Sequence, residues 1–152
     1  LDGITALPQV TLVPLDLSSA TDRVLAATRA VARDSKAEVW LLHVGEPNPD
    51  FVGYETGSEA VRDVIAQEYR GEHRKLQEYA DALRAEGIEA TALTIRGPTA
   101  ATILNEAGRL GVGLIVMATH GRGAMFDLLV GSVSHAVLRD SRVPVLLVPV
   151  RN

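Results

Sequence analysis

The chain has 152 residues, nearly half of them apolar and about a fifth charged, which suits one domain over residues 1–152 with a single buried core. It has no cysteine, so disulfides, thiolate metal sites and cysteine nucleophiles are excluded, and a reducing, cytoplasmic setting is expected. The net charge of −4 comes without a basic cluster, which speaks against nucleic acid, and no apolar run approaches the roughly 20 residues that cross a bilayer.

Leu1 to Gln9 has no charged segment leading into an apolar one, so no signal peptide is expected there, only a loose lead-in. The β-branched run Val10 to Val13 predicts a first strand ending at Pro14-Leu15-Asp16. Ser18 or Ser19 is then expected to cap a helix whose apolar positions Val24, Leu25, Thr28, Val31 and Ala32 repeat at helical spacing. Ala37 to Val44 is nearly all apolar around Val39 to Leu42, as strands covered on both faces are. Gly45 to Gly57, broken by Pro47, Pro49 and Gly53, predicts a loop.

Ser58 to Glu86 predicts a long amphipathic helix with Val61, Ile65, Tyr69, Leu76, Tyr79, Ala80 and Leu83 on one face. Gly71 could mark a bend in it, and Gly87 suits a left-handed cap. A third, less buried strand follows over Ile88 to Ile95. Gly97-Pro98 opens another helix with proline in its first turn, and Ile103, Leu104, Ala107 and Leu110 form its buried face. Leu114 to Met117 predicts a fourth strand, Ser132 to Asp140 a short helix, and Val143 to Val150 a fifth strand. The two prolines of that last strand place it at a sheet edge. An apolar edge invites pairing with a second copy of the chain.

Strands and helices thus alternate, which predicts an α/β fold with an open parallel sheet and helices on both faces. Ligands of such sheets bind beyond the carboxyl ends of the strands. Pro14 to Asp16, Val44 and the segment after Met117 all fall on that edge. The last of these carries the most distinctive pattern, Met117-Ala118-Thr119-His120-Gly121-Arg122-Gly123 and then Gly131-Ser132-Val133-Ser134. Its glycines let backbone N–H groups approach a ligand, and a helix opening at Gly131-Ser132 offers N–H groups and partial positive charge suited to phosphate. A loop with a serine N-cap would look the same. Asp16 equally suits a turn.

From Val10 to Val150 the sequence resembles the universal stress protein family. The resemblance rests on Val13 to Ser18, on Leu41-Leu42-His43-Val44, and on Met117 to Ser134, where Gly121, nine residues and Gly131-Ser132 match the ATP-binding motif of that family. Ala118 stands where the motif has its first glycine. The resemblance implies a Rossmann-like sheet of order 3-2-1-4-5, related to the adenine nucleotide α-hydrolases, and a homodimer through the last strand.

It also implies a site for ATP, with magnesium, or for AMP or ADP. Pro14, Leu15, Asp16 and Val44 would border adenine and ribose, with Met117 and Ala118 beneath the sugar. Gly121, Arg122, Gly131, Ser132, Val133 and Ser134 would hold the phosphates. The function implied is a stress-response sensor or switch. A nucleotide-free interaction module and a slow ATP phosphohydrolase, with His120 or Asp127 assisting water, are the alternatives. His43 suits a satisfied histidine at a strand end. No P-loop, dinucleotide fingerprint or nucleophile elbow occurs.

Overall fold

The computed structural model describes residues 9–45, 59–120 and 130–150, with the side chain of Val61 left aside. Residues 46–57 of the expected loop lie outside this set, as do Gly121, Arg122 and Asp127 of the candidate motif. The elements run β1 (Val10–Pro14), α1 (Thr21–Ser35), β2 (Glu38–Gly45), α2 (Glu59–Ala85), β3 (Ala90–Arg96), α3 (Thr99–Arg109), β4 (Leu114–Ala118), α4 (Ser132–Asp140) and β5 (Val145–Val148).

The five strands form one sheet in the order β3-β2-β1-β4-β5, and every neighbouring pair is parallel. The register explains why the strands read as continuous apolar runs. Val13, Val39, Leu41 and Val116 point to one face, where Val24 and Leu25 of α1 and Leu76, Ala80 and Leu83 of α2 cover them. Leu12, Leu42, Ile115 and Met117 point to the other, against Ile103 and Ala107 of α3 and Val137 of α4. Both faces are therefore desolvated, and alternation gives no polar side. β3 is only half-buried along most of its length, as its polar alternation predicted.

Several boundaries differ from the sequence-based expectation for identifiable reasons. α1 is not capped by Ser18 or Ser19: its N-cap is Ala20, with no side-chain hydrogen bond. Ser18 is occupied just before the helix, its Oγ accepting the Ala20 N–H at 3.3 Å. Pro98 is the N-cap of α3 rather than a first-turn residue, and its carbonyl accepts the Thr102 N–H at 3.0 Å. α2 continues through Gly71 as one 27-residue helix. It stops at Gly87, whose φ of +86° is a left-handed conformation that glycine takes without a Cβ clash.

β5 is shorter than expected, with Pro144 and Pro149 bracketing the strand rather than interrupting it. Its place at the sheet edge is as the prolines predicted. Leu146, in the middle of that strand, is 39% exposed.

Candidate functional site

The strand order reverses direction between β1 and β4. The chain moves outward from β1 through β2 to β3, then crosses back to β4 and β5 on the other side. The loops after β1 and β4 therefore diverge, and a crevice opens at the carboxyl edge. A cavity of about 770 Å³ lies there, within the size range of small-molecule sites.

Its first wall is the turn after β1. The Leu15 N–H donates to the Leu42 carbonyl at 2.8 Å, extending the β1–β2 pairing by one residue. Asp16 Oδ1 then accepts the Ser18 N–H at 3.0 Å, so the carboxylate does form the local turn that its position allowed. Between them Leu17 has φ +62°, a left-handed conformation that a leucine adopts at a cost of about 1–3 kcal/mol. Burial of the Leu17 side chain in the α1/α2 core holds it there.

The second wall is the end of β4 with the start of α4. Ser134 Oγ donates to the Ala118 carbonyl at 2.8 Å, and the Gly131 N–H donates to the Thr119 carbonyl at 2.7 Å. These two bonds fasten the first turn of α4 beside the β4 end. Thr119 is tied to the edge strand as well: its N–H donates to the Val148 carbonyl at 3.0 Å, and its Oγ1 accepts the Val150 N–H at 3.2 Å. Gly131, in an extended conformation, is the N-cap, so Ser132 is the first helical residue and not the cap. Gly131 has no side chain with which to cap the helix.

The third wall is the first half of α2. Ile65, Glu68, Tyr69, Glu72 and Lys75 recur at helical spacing along the cavity. Tyr69 is seated twice over. The Arg96 guanidinium, at the end of β3, stacks over its ring at 4.2 Å from the centroid. A Cβ on Gly45 would lie 2.5 Å from Tyr69 Cε1, so only glycine lets the ring rest against this strand end. His43 joins wall to wall, with Nδ1 2.8 Å from the Leu15 carbonyl and Nε2 in contact with Glu72 Oε2.

Of the candidate residues, Pro14, Leu15, Asp16, Val44, Met117, Ala118, Val133 and Ser134 line this one cavity. Gly131 and Ser132 are not among its lining residues, although Gly131 is buried directly behind Thr119. His43 is a satisfied, buried histidine as expected, and it lines the cavity too. The α2 wall and Arg96 were not foreseen as site residues. The only sequence signal of the α2 wall is its amphipathic stripe, which does not distinguish a face over a cavity from one in a core.

An open parallel sheet with a cavity over its switch point is the arrangement of α/β ligand-binding proteins. The sequence model of the universal stress protein family matches residues 9–149. The chain is 35% identical over 142 residues to universal stress protein YxiE of Bacillus subtilis, covering 90% of this chain and 96% of that one. The solved structure of MJ0577 from Methanocaldococcus jannaschii matches with a TM-score of 0.81 at 26% identity, over 95% of this chain and 97% of that chain. A universal stress protein solved in complex with cAMP has the same fold, with a TM-score of 0.66 at 22% identity over 95% of this chain and 98% of that chain. The protein belongs to the universal stress protein family.

Proposed function

We propose that the protein binds an adenine nucleotide, ATP with magnesium in the first instance, in the carboxyl-edge cavity and acts as a sensor or switch rather than as a dedicated enzyme. The observation that carries this reading is the convergence of the β1 turn, the β2 end, the β4 end and the α4 start on one cavity of about 770 Å³. The lining suits the ligand in two parts. Apolar Leu15, Val44, Met117 and Val133 offer a surface for a base and sugar, and Asp16 offers a carboxylate to hydroxyl groups. The first turn of α4, which opens at Gly131 and reaches the cavity at Val133, offers backbone N–H donors to phosphate. Gly121 and Arg122 would complete the phosphate side. A protein of the same fold holds cAMP, so the fold has room for an adenine nucleotide.

The second part of the reading is a homodimer through β5. The outer side of β5 has no neighbouring strand among the described residues, and Leu146 is exposed there. An apolar edge of this kind is stabilised by pairing with its own copy. Sedimentation of wild type and Leu146→Lys tests it: a dimer that becomes a monomer supports the reading, and a wild-type monomer at high concentration contradicts it.

Calorimetric titration with Mg-ATP tests the nucleotide, on wild type and on Gly131→Val. The expected result is micromolar binding that the variant weakens at least tenfold. Absence of heat in a folded wild type, across several nucleotides, would remove the reading in favour of a nucleotide-free interaction module.

A further inference from the structure

Two contacts decide which part of the Tyr69 ring is left for a ligand. The Arg96 guanidinium lies over one face, 4.2 Å from the ring centroid. A Cβ on Gly45 would stand 2.5 Å from Tyr69 Cε1, but 3.3 and 3.5 Å from the neighbouring ring atoms Cδ1 and Cζ. A point above the ring face would lie nearly as close to those neighbours as to Cε1, so Gly45 meets the ring edge-on. Neither of the two apolar clusters that cover the sheet includes Tyr69. Its hydroxyl has no hydrogen-bond partner among the described residues. Yet the side chain lines the carboxyl-edge cavity. The face opposite Arg96 is therefore left to that cavity.

The place of the ring in the cavity gives that face a consequence. Tyr69 rests against Gly45, the last residue of β2 and the neighbour of Val44. The N–H donors of the first turn of α4 lie beside the end of β4, where Ser134 fastens the helix to Ala118. β1 stands between β2 and β4, so these two ends of the cavity are two strand spacings apart, about 10 Å. That is the scale of the span from the base of a nucleotide to its outer phosphates. Charge points the same way. On the Tyr69 side, Glu68 and Glu72 offset Lys75 and Arg96, and such a balance suits an uncharged base better than a phosphate.

We propose that the open face of Tyr69 is a stacking platform for the base of the nucleotide, steadied from behind by Arg96, and that it makes the cavity favour purine over pyrimidine nucleotides. The proposal deepens the nucleotide reading above and rests on it. Stacking of a base on an aromatic side chain is worth about five- to 150-fold in affinity. A two-ring purine overlaps more of the tyrosine than a one-ring pyrimidine does, and this sets the direction of the preference. The contact reads a flat face and not exocyclic groups, so it does not separate adenine from guanine. It is made by the ring and not by the hydroxyl, so phenylalanine can take its place.

The test titrates Mg-ATP and Mg-CTP into wild type, Tyr69→Leu and Tyr69→Phe. Tyr69 is half-buried on a helix and leucine is a good helix former, so both variants are expected to fold. Amide hydrogen exchange of residues 62–74 reports whether the α2 wall keeps its place in each. Proton spectra of bound ATP add a signature that wall packing alone does not produce: base protons held over the face of an aromatic ring move upfield.

Tyr69→Leu is expected to weaken ATP at least about fivefold, to weaken CTP less, and to lose the upfield shift of the adenine protons. Tyr69→Phe should restore all three. An equal loss for ATP and CTP in Tyr69→Leu overturns the platform, since the ring would then only shape the wall. So does an unchanged affinity, an upfield shift that survives in Tyr69→Leu, or a failure of Tyr69→Phe to restore binding. Each of these leaves nucleotide binding itself standing in wild type. No binding of any nucleotide to the folded wild type overturns the nucleotide reading and the platform with it, so the two failures are told apart by the wild-type titration.

Discussion

The two halves of α2 share one stripe and do different things with it. From Leu76 onward the stripe is fully buried against β1, β2 and β3, and it belongs to the core that holds the sheet together. From Ile65 to Lys75 the same stripe looks onto a cavity, and its contacts with the sheet include a ring stack, the His43–Glu72 contact and one exposed hydrogen bond. A helix anchored at one end is a physical means of joining a stable scaffold to a wall of low local stability, which is where ligand-responsive segments are drawn from.

The comparison can be broken most forcefully at Leu76. Leu76→Ala is expected to cost about 2–5 kcal/mol of global stability in urea unfolding, because a fully buried leucine leaves a cavity. Val64→Ala, in the other half, should stay within about 0.5 kcal/mol of wild type. Similar costs for the two would contradict the division. Next in size is Gly45→Ala. The added methyl meets the Tyr69 ring, at a cost of about 1–3 kcal/mol. The loss should appear as faster exchange in residues 62–74, with residues 76–85 unaffected.

Ser134→Ala removes the bond from Ser134 Oγ to the Ala118 carbonyl and should cost about 1 kcal/mol, read as a lower unfolding midpoint together with weaker nucleotide binding. A loss of stability without any effect on binding would detach α4 from the site. The smallest effect concerns Glu86, which pairs with Arg29 and Arg33 of α1 just beyond the end of α2. The hydrogen bond from Arg29, helped by the charges of both arginines, holds the Glu86 carboxyl below its ordinary range against the opposing effect of desolvation. A lowered folded-state value means that the contribution is present above the ordinary carboxylate range and is lost as pH falls through the lowered one. Glu86→Gln should slightly flatten acid unfolding, and added salt should erase the difference.

Most of the architecture was legible because it rests on local signals. Apolar runs such as Val39 to Leu42 and Leu114 to Met117 cannot be anything but covered strands in a chain of this alternation, and α4 begins and ends where its pattern does. What escaped was set by contacts that a linear reading does not display. Ser18 looked like a helix cap, but its hydroxyl is spent on a turn that Asp16 starts. Glu72 and Arg96 drew no reading from the sequence, because their partners His43 and Tyr69 lie 29 and 27 positions away. The β1, β2 and β4 ends of the candidate site could be read from the order of elements. The α2 wall could not, since a stripe of Ile65, Tyr69, Leu76 and Leu83 is the same on paper whether it meets side chains or a cavity.

The most direct test of the central claim is amide chemical-shift mapping of the isotopically labelled protein during titration with Mg-ATP. The account predicts saturable shifts at Asp16, Val44, Ala118, Ser134 and Tyr69, on separate elements that meet at this cavity, and none at Leu83, Ile88 and Ala90 on the opposite edge. Shifts concentrated at that opposite edge, or no saturable shifts at millimolar nucleotide in the folded protein, would contradict it.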